Sequence, residues 1–294
     1  MLGEIAFTNT ALESFAALVT FVLLFACIAK IKMQREIKHV TSKNAKRNTL
    51  DYILIIWLVI HMIVLTADVL SWTAMDFGKN EVWLLFMLNL TFTCLFLECM
   101  VYTYYVKETI YQHEMIGNTY VYLVMLSTVI AIILWITSDI SGKFYYLDTQ
   151  GNYSQGSMYW LCQFYCIIVM CGNIAILLKH RKALVRHDVL SLLMYGLIPI
   201  ASIPAQMLWK STTFNLATTL ALIYICISVH MAQYDRIVEQ EKLLIQQEHE
   251  LSMNQMQMMI AQIQPHFLYN SLTALAQLCS KDPKEAKKAI INFA

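Results

Sequence analysis

The sequence predicts an all-α, polytopic membrane protein: seven transmembrane helices, then a charged coiled-coil helix, then the start of a helical hairpin. Three observations carry that prediction. Of 294 residues, 58% are hydrophobic and only 14% charged, with a positive mean hydropathy, far from the balance of an ordinary soluble domain. The apolar residues gather into seven runs of about 20, the length that crosses a hydrocarbon core as a helix. Near Tyr234 the composition turns abruptly charged. The expected domains are therefore a membrane sensor over residues 1–233, a signalling helix over 234–260 and a helical hairpin over 261–294. A bilayer core offers no water to unpaired backbone groups, which demands helices or a closed barrel, and no period-two alternation suggests strands. The net charge of +1 identifies no partner, and no nucleic-acid partner is expected.

Taken in order, Met1 to Ala11 carries no Lys or Arg and so lacks the basic start of a signal peptide. The run Leu12 to Ile31 is then expected to be a span, not a cleaved leader. Further spans are expected at Leu50 to Trp72, Val82 to Val106, Thr119 to Ser138, Met158 to Leu178, Val189 to Trp209 and Phe214 to Gln233. Loops after the odd spans hold Lys30, Lys32, Arg35, Lys38, Lys43, Lys46, Arg47, Lys107, Lys179, Arg181, Lys182 and Arg186, whereas the other side carries only Lys79, Lys143 and Lys210. By the positive-inside rule the N-terminus is outside and the C-terminus cytoplasmic.

Ionisable residues inside spans are costly and so default to functional roles. Asp68, near the outer end of the second span, is a candidate ligand-binding residue. Glu98, in the inner half of the third, is a candidate switching residue, with His61, Asn89 and Asn173 as polar company. Pro199 and Pro204 in the sixth span remove backbone donors and permit a hinge, a second candidate switching element. Outer loops are short except Asp139 to Ser157, whose Gly, Ser, Asn and Tyr content suits turns or a small hairpin covering a pocket mouth. Any ligand is accordingly expected within the outer half of the bundle. Seven cysteines fall in spans and Cys279 in the tail, so no extracellular disulfide framework is indicated. Cys162, Cys166 and Cys171 could share a helix side and touch a metal, but packing is the expected role, and no metal site is assigned.

In the tail, Ile237, Leu244, Leu251 and Met258 recur at seven residues, the period of a coiled-coil seam, with polar Gln240, Gln247 and Asn254 between them. A seam so diluted suits a signalling rod with two arrangements of similar energy. The run Ala261 to Leu272 reads A-Q-I-Q-P-H-F-L-Y-N-S-L. At about 100° per residue, Leu268, Leu272, Leu275 and Cys279 form an apolar stripe, and His266 falls roughly 120 to 180° from each. The imidazole is expected to face solvent beside Gln262, Asn270, Thr273 and Gln277. Pro265 predicts a kink or break immediately before it. The helix is expected to run to about Cys279, with Asp282 as N-cap and Pro283 opening a second helix whose Ala286, Ala289, Ile290 and Phe293 pack back.

The run Q-P-H-F-L-Y-N-S-L resembles the phosphoacceptor box of the LytS-like branch of bacterial sensor histidine kinases, centred on P-H-F-x-[YF]-N, and residues up to Ala294 continue the likeness. The resemblance implies that His266 accepts a phosphoryl group from ATP with Mg2+, then passes it to an aspartate of a response regulator, a phosphorelay of the two-component type. Asn270 would orient water or the phosphoryl group in dephosphorylation, and Pro265 would set the bend. Many such kinases carry an acidic residue directly after the histidine; here that residue is Phe267, so a general base must come from elsewhere. The family implies a homodimer in a bacterial cell membrane. An ATP-binding domain is expected to be missing, so this chain should neither bind ATP alone nor be active alone. The signal, whether small molecule, peptide or lipid, is not named by the sequence. Two other readings are a non-enzymatic seven-helix receptor whose tail recruits a cytoplasmic partner and, more remotely, a transporter, which lacks the paired broken segments of inverted repeats.

Overall fold

The computed structural model describes residues 2–36, 43–77, 81–112, 115, 117–147, 153–209, 213–262 and 265–293. In chain order these form α1 (Leu2–Glu36), α2 (Lys43–Phe77), α3 (Glu81–Tyr111), α4 (Thr119–Ile136), the short α5 (Ser138–Ser141), β1 (Tyr145–Leu147), β2 (Tyr153–Gln155), α6 (Trp160–Lys179), α7 (Arg186–Trp209), α8 (Thr213–Gln262), α9 (Pro265–Lys281) and α10 (Pro283–Phe293). Among the described residues the fold is all-α apart from one two-stranded hairpin. Two compact units divide the chain, Met1–His230 and Met231–Ala294.

Among the described residues, seven helical stretches are long and apolar enough to cross a membrane: Ala6–Lys32, Thr49–Ala74, Glu81–Tyr111, Thr119–Ser141, Trp160–Lys179, Arg186–Gln206 and Thr213–Met231. All seven expected spans are present. The bounds agree to within a few residues; the first span begins earlier, at Ala6, and the third runs on to Tyr111, because helices continue past the apolar stretch that a hydropathy reading detects. Lipid chains are as apolar as leucine, so such helices associate through close packing and interhelical hydrogen bonds. The packing is visible in one aromatic knot, where Trp57 of α2 meets Tyr195 of α7 at 4.5 Å between ring centroids and Tyr195 meets Tyr102 of α3 at 4.7 Å. The Tyr102 hydroxyl donates to the Leu192 carbonyl at 2.8 Å, so this buried phenol is satisfied across helices. Outward, α4 exposes Leu123, Leu126, Ile130 and Ile133, a face suited to lipid. Pro199 and Pro204 both lie inside the unbroken α7, and the Ser202 hydroxyl donates to the Pro199 carbonyl at 2.7 Å.

The long loop forms the predicted small hairpin, with Tyr145 opposite Gln155 and Leu147 opposite Tyr153. Gly142 turns the chain at φ 63°, a conformation that suits a residue without Cβ. The hairpin's aromatics pack inward. Tyr145 is buried against Trp135 at 4.7 Å, and Trp135 stacks on Phe92 at 3.8 Å. Tyr145 belongs to an aromatic cluster against which the half-buried Tyr153 packs. Burial raises the Tyr145 phenol well above its ordinary range, and it raises that of Tyr159 to about 12.

In the second unit, α9 and α10 pack as a hairpin around the fully buried Ala286. Asp282 caps α10 through Oδ1, accepting from the backbone N–H of Lys284 at 3.0 Å and of Glu285 at 3.2 Å. The cap falls where the sequence puts it, but α9 runs on to Lys281, two residues past Cys279. Ala289 is half-buried and Ile290 is exposed, so the return face is narrower than the sequence predicts. The side chain of Phe293 lies outside the described residues.

Candidate functional site

His266 is the second residue of α9, and Pro265 is the first. Proline is well placed there, since the first helical N–H has no partner to lose. α8 is bounded at Gln262 and α9 at Pro265; residues 263–264, and the side chains of 262–266, lie outside the described residues. The expected orientation of the imidazole falls among them. Around it, Phe267, Leu268, Tyr269 and Asn270 are all exposed, and Asn270 stands one helical turn on from His266. Of the apolar stripe, Leu275 is half-buried with Ser271 and Leu278, while Leu268, Leu272 and Cys279 are exposed. Ile237, Leu244, Leu251 and Met258 are exposed as well.

The polar residues of the membrane unit sort into separate groups. Glu98 of α3 and His61 of α2 are both buried, with Glu98 Oε1 at 2.8 Å from His61 Nδ1. His61 Nε2 lies 2.9 Å from Thr219 Oγ1 of α8, and Thr219 donates to the Asn215 carbonyl at 2.8 Å. Asp68 is half-buried. Its Oδ2 accepts from Asn215 Nδ2 at 2.8 Å, and the same nitrogen donates to Glu13 Oε1 of α1 at 2.9 Å. Sequence reasoning singled out Asp68, Glu98 and His61 because charge inside a span is costly. It missed Glu13, Asn215 and Thr219. Glu13 was legible as an acid inside the first apolar run; Asn215 and Thr219 carry no comparable signal.

The other two polar companions stand apart. Asn89 Nδ2 donates to Asp139 at 3.1 Å beside the hairpin, and Asn173 Nδ2 donates to Thr103 at 2.9 Å. Asn173 and Thr103 line a water-sized cavity with Lys107 and Tyr120. Among the sulfurs, Cys162 and Cys166 are buried whereas Cys171 is exposed, so the three do not share one helix side.

The second unit is thus an exposed amphipathic helix joined in sequence to a hairpin that opens on Pro265 and His266. Residues 254–294 match the Histidine kinase family model. The matched stretch takes in the end of α8, all of α9 and α10, and the Pro265, His266 and Asn270 positions. No curated protein matches the chain. A histidine kinase segment beside seven apolar helices supports, in general terms, a membrane-bound histidine kinase. Within that segment, His266 and Asn270 are candidates by motif and by position in α9. Asp68, Glu98, Pro199 and Pro204 belong to the membrane unit.

Proposed function

We propose that this chain is the sensing, transmitting and phosphoacceptor part of a two-component sensor histidine kinase of the LytS-like type. The observation that carries the reading is the Histidine kinase match over residues 254–294, which contains the Q-P-H-F-L-Y-N run at the start of α9. In the reaction, a ring nitrogen of His266 attacks the γ-phosphorus of ATP. A P–N bond forms, the bond to the β–γ bridging oxygen breaks, ADP leaves, and the ring releases its N–H proton to a base. The ATP-binding domain supplies nucleotide, Mg2+ and in-line positioning, which provide most of the rate in such transfers. The phosphoryl group then passes to an aspartate of a response regulator, and Asn270 orients water for dephosphorylation. Phe267 carries no proton-accepting group, so the base comes from the ATP-binding domain.

The protein works as a homodimer in a bacterial cell membrane, with its C-terminal unit in the cytoplasm. The exposed seven-residue repeat Ile237, Leu244, Leu251, Met258 supports a parallel coiled coil. The exposed Leu268, Leu272 and Cys279 support a four-helix arrangement of two hairpins. A small-molecule, peptide or lipid signal acts on the bundle, at or near Asp68. Glu98, Pro199 and Pro204 take part in the shift that reaches α8.

The test mixes the chain in lipid vesicles with an active histidine-kinase ATP-binding domain, Mg2+ and ATP labelled in its γ-phosphate. Acid-labile label is expected on the wild type and none on His266→Gln. Equal label on both, or none on either, overturns the reading and favours a receptor that only recruits a partner.

A further inference from the structure

The contact between Glu98 and His61 lies wholly within the membrane unit, and counting its hydrogens shows what it must bind. Thr219 gives its only hydroxyl hydrogen to the Asn215 carbonyl at 2.8 Å. With that hydrogen so placed it accepts from His61, whose Nε2, at 2.9 Å, then carries a hydrogen. The other ring nitrogen, Nδ1, faces Glu98 Oε1 at 2.8 Å. A carboxylate and a bare ring nitrogen are both acceptors, so this contact requires one exchangeable proton between them. Glu98 is 2% exposed, and its Oε2 has no hydrogen-bond partner among the described residues. Without that proton the pair would leave a buried carboxylate facing a nitrogen lone pair, which a low-dielectric interior penalises heavily.

We propose that Glu98 and His61 form a proton-binding site in the middle of the bundle, and that the bound proton fastens α2 and α3 to α8 through Thr219. The ligand is the proton itself, which needs no cavity. Other groups face the site from the neighbouring helices. Cys94 and Cys99 of α3 and Tyr195 of α7 lie close enough to feel a charge on Glu98, and Cys166 of α6 reaches Cys99. One turn back along α8, Asn215 Nδ2 spends its two hydrogens on Glu13 and Asp68. The one amide thus bridges carboxyls of α1 and α2. The first turns of α8 thus gather protonatable groups from α1, α2 and α3.

Loss of the proton sets lone pair against carboxylate and loosens the three-helix contact. The proposal concerns the first unit alone and stands whether or not His266 is phosphorylated.

The test uses the full chain in lipid nanodiscs. Nitrogen-15 histidine spectra, with His61→Gln to assign the signal, report which ring nitrogens carry hydrogen. Thermal unfolding is followed against pH for the wild type and for Glu98→Gln, whose amide N–H donates to Nδ1 a hydrogen that does not dissociate. Nε2 of His61 is expected to stay protonated throughout. The wild-type midpoint is expected to fall as pH rises, with the falling step missing from Glu98→Gln. The same pH curve for both proteins overturns the proposal, and so does a His61 spectrum with a bare Nε2. Should Glu98→Gln fail to fold, the wild-type spectrum decides alone.

Discussion

Ser138 spends one hydroxyl on three backbone groups: it accepts from the N–H of Phe144 and Tyr145, both at 2.9 Å, and donates to the Tyr145 carbonyl at 3.0 Å. Buried backbone groups left without partners cost about 1 to 3 kcal/mol each. Ser138→Ala is expected to lower stability by at least that amount, read as a fall in the unfolding midpoint, while Ser141→Ala at an exposed neighbouring position leaves it nearly unchanged. Tyr159 gives a pH dependence. Burial lifts its phenol to about 12, above the ordinary value of about 10, so the folded state holds this proton more tightly than the unfolded chain. Its stabilising contribution is complete below about pH 10 and is lost as pH rises from there through about 12. Tyr159→Phe is expected to flatten that alkaline decline in midpoint. At this scale the sequence signals chemistry where chemistry is costly. Glu98 and Asp68 announce themselves as charge in apolar runs, and His266 by its motif. Asn215 and Thr219 do not, because helical periodicity within one segment carries no information on which helices meet.

Helix α10 begins where local chemistry dictates: Asp282 accepts from two otherwise unpaired N–H groups, and Pro283 occupies the first helical position. Asp282→Ala is expected to cost about 1 kcal/mol of local stability, measured as faster hydrogen exchange at the amides of Lys284 and Glu285. Such caps are legible because they depend on residues a few positions apart. The inner face of the hairpin was less so. The stripe Leu268, Leu272, Leu275, Cys279 is a sound helical stripe, yet only Leu275 turns toward α10, joined by Ser271 and Leu278. A stripe states which side is apolar, not which of two partners covers it, and in the proposed dimer the remaining residues meet the second copy. The coiled-coil seam makes the same proposal testable. Burying a leucine is worth about 1.5 to 3 kcal/mol, and a dimer buries Leu244 twice. Leu244→Asn is expected to weaken dimerisation at least tenfold by sedimentation in detergent, whereas exposed Glu248→Gln leaves it within a factor of about two.

At the scale of the whole molecule, the seven crossings were legible because each is a run of apolar residues long enough for a bilayer, a property of composition that needs no tertiary information. Orientation rests on a different physical cause, the excess of Lys and Arg in the loops after odd helices, which biases those loops to the cytoplasmic side. Orientation bears on the proposed function, since ATP is cytoplasmic and a phosphoacceptor at His266 would have to share its compartment. Cys279 supplies the measurement. It is the exposed thiol of the second unit; in the bundle, Cys27, Cys94, Cys99, Cys162, Cys166 and Cys226 are buried, and Cys171 is exposed on a membrane-crossing helix. Maleimides react with the thiolate, which water stabilises and hydrocarbon does not, so Cys171 is expected to stay inert in a bilayer. A membrane-impermeant maleimide should therefore label Cys279 strongly in inverted membrane vesicles and at least tenfold more weakly in intact cells, with Cys279→Ser removing the signal. Equal labelling from outside would place the second unit away from ATP and reject His266 as a phosphoacceptor in the cell, even if it can be phosphorylated in vesicles.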